Sequence, residues 1–157
     1  MKILDMTAGN RGVWFDKHYR DCTFVDIRPG KFGNVPPWDR GTGYDLIVFD
    51  PPHVNGGANS NISRDYGHHT TKEIRHFVEN GARDAHAAAA PDALMAFKWN
   101  DHDQKLDSVL KLMSEWWEPL FGQVTSTRTK HSCQTYWVML RKRDIEPEWP
   151  VGPRQSG

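Results

Sequence analysis

Apolar positions along the chain fall into short runs separated by polar, glycine-bearing stretches. Residues 2–5, with Ile3-Leu4, read as a short buried strand, and residues 23–27 as a second. Residues 45–50 carry Leu46-Ile47-Val48-Phe49, and residues 93–99 form a fourth such run. Continuous apolar runs of this length suit strands of a parallel sheet buried on both faces. Helical spacing appears elsewhere. Ile74, Phe77, Val78, Ala82 and Ala85 recur on one side of residues 71–90, with Pro91-Asp92 as the stop. Leu106, Val109, Leu110, Met113, Trp116 and Trp117 make the stripe of a second helix over 103–117. A short helix is expected over 13–20. Residues 121–130 and 134–143 read as two strands with a short connection. Alternating strands and helices ending in a hairpin predict an α/β fold. The sheet is expected to be mostly parallel, with an antiparallel C-terminal hairpin and helices on both faces.

Residues 1–143 are expected to form one domain, and 144–157, with three prolines, a loosely ordered tail. Residues 28–44 are rich in Gly and Pro and read as loop. Residues 54–71 form a long aperiodic polar stretch carrying Asn55, Arg64 and Tyr66. Such a segment is either a lid that touches substrate or a plain surface loop.

Composition narrows the classes. Twenty Lys plus Arg balance twenty Asp plus Glu, so no whole-molecule field draws in a polyanion, and nucleic-acid contact has to come from a local patch. Arg128, Lys130, His131, Arg141, Lys142 and Arg143 form one candidate: a phosphate-binding cluster or a solvated edge. No apolar run approaches the roughly 20 residues that span a bilayer. The chain opens directly on a strand, so no signal peptide is expected. Two cysteines, Cys22 and Cys133, make neither a disulfide framework nor a zinc site, and the eight His are scattered. The expectation is a cytoplasmic protein without a metal.

In α/β sheets ligands bind at the carboxyl ends of the strands. The first end carries Asp5-Met6-Thr7-Ala8-Gly9-Asn10-Arg11-Gly12, a glycine turn through which a ligand can approach the backbone. A tight connection alone explains it equally well, and the G-x-G-x-x-G spacing is absent. The second end carries Asp26, an acceptor for ribose hydroxyls, a cap, or a partner for Arg28. The third, Asp50-Pro51-Pro52-His53, is the most informative. Two prolines end the strand and hold the Pro51 carbonyl beside the Asp50 carboxylate. One charged and one neutral acceptor suit a planar –NH₂ group, and the His53 ring offers a stacking face. Lys98 and Asn100 stand at the next strand end, Lys98 as a candidate phosphate contact and Asn100 as a substrate contact or cap.

These motifs together resemble the Rossmann-like class I S-adenosylmethionine-dependent methyltransferases. Asp50-Pro51-Pro52-His53 is similar to the [D/N]-P-P-[aromatic] motif of the amino-methyltransferases, which modify exocyclic amines of nucleobases. Phe97-Lys98-Trp99-Asn100 and Pro119-Leu120-Phe121-Gly122 extend the similarity, over most of residues 2–143, to small methyltransferases of bacteria and phages. The resemblance implies S-adenosyl-L-methionine as cofactor, along Asp5, Met6, Thr7, Ala8 and Gly9, at Asp26, Ile27 and Arg28, and reaching Asp50. Asp50, Pro51, Pro52 and His53 are the implied catalytic residues, with Asn55, Arg64, Tyr66, Lys98 and Asn100 as substrate contacts. The implied activity is methylation of an adenine or cytosine amine in DNA or RNA, helped by loops or a partner protein. Two alternatives remain: methylation of a protein amide or small molecule through the same motif, and a non-catalytic module that binds cofactor or partner.

Overall fold

The computed structural model describes residues 1–28, 30–53, 69–125 and 133–145. Its core is a six-stranded sheet. In chain order the elements are β1 (Ile3–Asp5), β2 (Cys22–Phe24), a 3-10 helix (Pro37–Asp39), β3 (Tyr44–Phe49), α1 (Thr71–Ala88), β4 (Ala89–Asn100), α2 (Leu106–Met113), β5 (Trp117–Val124) and β6 (Thr135–Lys142). The strand order is β2-β1-β3-β4-β6-β5. The first four strands are parallel, and β6 runs antiparallel to both β4 and β5. Chain order reverses between β1 and β3, which makes their carboxyl ends the topological switch point.

Alternation along β4 divides the sheet into two faces. Ala93, Met95, Phe97 and Trp99 are buried, whereas Leu94, Ala96, Lys98 and Asn100 are partly or largely exposed. The buried set packs with Ile74, Val78, Ala82 and Ala85 of α1 and with Val109 and Met113 of α2. α1 begins as its sequence directs. Thr70 and Glu73 form a reciprocal capping box, Thr70 Oγ1 accepting from Glu73 N–H and Glu73 Oε2 from Thr70 N–H. Gly81 sits mid-helix because β3 lies close: a Cβ there would stand 2.4 Å from Phe49 Cζ. Trp117 is fully buried and donates its indole N–H to Ala82 O.

Several boundaries differ from expectation. Residues 13–20 form turns, not a helix. Arg11 takes a positive φ of 55°, and the Asp16 carboxylate accepts from His18 N–H, a local bond that competes with helix. β2 ends at Phe24, leaving one parallel bridge between Val25 and Val35. The alanine run leaves α1 at Ala88 and passes straight into β4, where Pro91-Asp92 is an irregularity within the strand rather than a helix stop. α2 is shorter than its stripe, and Trp117 opens β5. Among the described residues the two α-helices pack on each other, and the connections of β1, β2 and β3 are turns and the 3-10 helix. No helix of the described residues is long and apolar enough to cross a membrane.

Candidate active site

Three carboxylates converge at the switch point. Asp5 ends β1 and is buried, accepting from Trp14 Nε1–H at 2.7 Å and from Thr7 N–H at 3.1 Å. Burial pushes its carboxyl up to about 6, the two donors oppose the rise, and the nearby Asp50 and Asp26 charges add to it. Asp26 follows β2. Its Oδ2 accepts from Gly9 N–H at 3.0 Å and its Oδ1 from Arg28 N–H at 2.9 Å. Gly9 has a φ of +47°, where a side chain is strained, and its carbonyl is held by Asn34 Nδ2 at 2.8 Å. Met6 N–H reaches Val48 O and Ala8 N–H reaches Val25 O, so the turn is stitched to both neighbouring strands. Ile27, just beyond Asp26, is exposed.

Asp50 stands at the end of β3. Its N–H donates to Thr7 Oγ1 at 2.7 Å. Thr7 thus bonds both the Asp5 carboxylate and the Asp50 backbone and couples the first and third strand ends. Asp50 Oδ2 accepts from Lys98 Nζ at 2.7 Å. Pro51 is buried, and its carbonyl lies 3.1 Å from His53 Nδ1. A carbonyl only accepts, so Nδ1 carries the proton. Burial holds the His53 pKa below the ordinary histidine value, against the Asp50 charge and the Pro51 bond, which both raise it; the ring is therefore neutral at pH 7. That ring meets Trp99 edge-on, with centroids 5.9 Å apart. Asp50 and Pro51 O each keep an accepting lone pair.

The structure therefore brings together Asp5, Met6, Thr7, Ala8, Gly9, Asp26 and Asp50–His53 at adjoining strand ends. Lys98 joins them through its ammonium, which donates to Asp50 Oδ2. Asn100 turns away, donating to Thr135 Oγ1 and accepting from His102 N–H, and Lys105 is the α2 N-cap. Asn55, Arg64 and Tyr66 lie outside the described residues, as do Arg128, Lys130 and His131. Within the basic cluster, Arg141 pairs with Glu118 at 2.6 Å and Lys142 donates to Ala89 O, so both are committed to the sheet.

Two contributors escaped the sequence reading. Trp14 fixes Asp5. Arg11 is buried inside the turn, donating to Asn34 Oδ1, Phe32 O and Lys17 O, with its guanidinium 3.9 Å over the Phe24 ring. An arginine beside a glycine turn reads as surface; only the tertiary structure reveals that it organises the loops around the site.

No protein-family model matches the sequence, and no curated protein matches it. Solved structures do. N-methyltransferase NodS from Bradyrhizobium japonicum WM9, in complex with S-adenosyl-L-homocysteine, aligns with a TM-score of 0.54 at 12% identity over 91% of this chain and 78% of that one. TrmN from Thermus thermophilus gives a TM-score of 0.55 at 13% identity, over 91% of this chain and 44% of its own. A TehB-like SAM-dependent methyltransferase from Corynebacterium glutamicum gives 0.56 at 13% identity, over 90% and 80%. At such identities the likeness establishes the fold: a Rossmann-like sheet of the class I methyltransferase kind, with an antiparallel strand pair at one edge.

Proposed function

We propose that this chain is an S-adenosylmethionine-dependent N-methyltransferase acting on an exocyclic amino group of a nucleobase, adenine or cytosine, in DNA or RNA. The observation that carries the reading is the position of the Asp50 carboxylate and the Pro51 carbonyl, side by side next to the carboxylate-lined ends of β1 and β2. The donor set fits such a cofactor. Three carboxylates crowd one corner, and Asp5 is raised to about 6 by burial and by its neighbours, so the corner suits a cationic ligand. Asp5 and the Met6–Gly9 turn would hold the methionine end, and Asp26, Ile27 and Arg28 the nucleoside. When bound, S-adenosylmethionine supplies an electrophilic methyl group on a positively charged sulfur.

The residues of the chain do the rest. An exocyclic amine is a poor nucleophile because its lone pair is delocalised into the ring. Asp50 and Pro51 O accept its two N–H hydrogens, which localises the pair and aims it. Orientation of this kind lowers barriers by about 7–11 kcal/mol in well-aligned systems. Neutral His53 keeps Pro51 O in place and adds no positive charge that would repel the sulfonium. Proton loss follows transfer, to Asp50 or to water. A duplex base reaches such a site only when flipped, so single strands and loops are the easier acceptors. No step calls for a metal. Specificity comes from loops or a partner protein.

The test is to incubate the protein with methyl-labelled S-adenosylmethionine and separate pools of DNA, RNA and protein, then digest labelled nucleic acid to nucleosides. An N-methylated adenine or cytosine nucleoside is the expected product. Label confined to protein or small molecules overturns the nucleic-acid reading.

A further inference from the structure

The register that pairs Phe49 with Phe97 carries Lys98 alongside Asp50. The Lys98 ammonium lies 2.7 Å from Asp50 Oδ2, with side-chain exposures of 26% and 22%. We propose that Lys98 is the positioning residue of the amine grip: it fixes Oδ2, so that Oδ1 stays directed at the acceptor amine. This rests on the function proposed above and assigns Lys98 a task other than phosphate binding.

Three observations support it. An aspartate side chain has two free torsions, and among the described residues no second side chain donates to the Asp50 carboxylate. His53 Nδ1 is 3.8 Å from Oδ1 and spends its proton on Pro51 O. Thr7 holds the Asp50 backbone, so among the described residues the carboxylate orientation is left to Lys98. Finally, the ammonium gives Asp50 a counter-charge in a corner that already holds Asp5 and Asp26. Asp50 is thereby kept as an oriented acceptor of hydrogen bonds rather than a repelled, mobile charge.

The experiment compares Lys98→Met, which keeps length without charge, with Lys98→Arg, which keeps charge and donors. Steady-state methyl transfer is measured on whichever acceptor pool the wild type labels, with melting temperature and S-adenosylhomocysteine affinity as checks of folding. Lys98→Met is expected to lose about 10²-fold in kcat, the usual cost of a misplaced reacting group. Acceptor KM should stay within about threefold, the pattern of an interaction used only in the transition state. Lys98→Arg should recover most of the loss. The double variant Asp50→Asn/Lys98→Met should be no slower than Asp50→Asn alone, because Lys98 acts through Asp50. Unchanged kcat with a raised KM overturns the proposal in favour of a phosphate contact, and additive losses in the double variant overturn it too. If the wild type labels protein or a small molecule, the nucleic-acid reading falls, and the same kcat–KM split on that acceptor still decides Lys98. A wild type that labels nothing sinks both.

Discussion

Along β4, Phe97 and Trp99 lie in a buried apolar layer packed with α1 and α2, whereas along β1 Asp5 lies among polar groups at the mouth of the sheet. The helical region is held by burial: Ile74, Val78, Val109, Met113 and Trp117 are all fully covered. The region from Thr7 to Val35 is held by specific bonds, among them Arg11 to three acceptors, Asn34 to Gly9 O, and Gly9 to Asp26. Apolar packing is non-directional and tolerant, and it gives a rigid platform for the ends of β3 and β4. Directed polar bonds place carboxylates where packing alone would forbid them. They leave a cost, a buried acid with two anionic neighbours.

The contrast can be broken from either side. Trp117→Ala removes a fully buried indole and should cost about 3–5 kcal/mol in denaturant unfolding. It should leave S-adenosylhomocysteine affinity of the still-folded fraction unchanged. Asp5 gives the next largest effect. The folded protein keeps this proton up to about pH 6, whereas the unfolded chain releases it near the ordinary 3.8. Between those values the folded state binds more protons, so this group's contribution is full below 3.8 and is lost as pH rises to about 6. A displacement of that size is worth about 3 kcal/mol, and Asp5→Asn should remove that slope from a stability–pH curve. The same ionisation should strengthen donor binding as pH rises through about 6, seen by calorimetry at pH 5 and 8. Arg11→Met strips three carbonyl acceptors of their donor. It should cost about 2 kcal/mol and weaken cofactor affinity, an effect Trp117→Ala lacks. Thr70→Ala, which opens the capping box of α1, should cost about 1 kcal/mol by thermal unfolding and spare the site.

That contrast also governs what the sequence displayed. The apolar platform was legible because its signals are periodic: β1, β3, β4 and α1 follow their runs and stripe. The acidic strand ends were legible too, since Asp5 and Asp50 stand where apolar runs stop. The polar region was not. The helix expected over 13–20 does not form: Phe15 is fully exposed and Trp14 turns inward to Asp5, contacts with no period. The strand end beside Asp50 shows in the sequence as the place of Lys98; the bond from its ammonium to Asp50 Oδ2 does not, because the register that pairs Phe49 with Phe97 is not visible in one strand's residues.

The most direct measurement concerns Asp50 itself. Asp50→Ala should bind S-adenosylhomocysteine with wild-type affinity by calorimetry and show no methyl transfer in a single-turnover assay with labelled donor. Transfer at the parental rate by that variant would contradict the account.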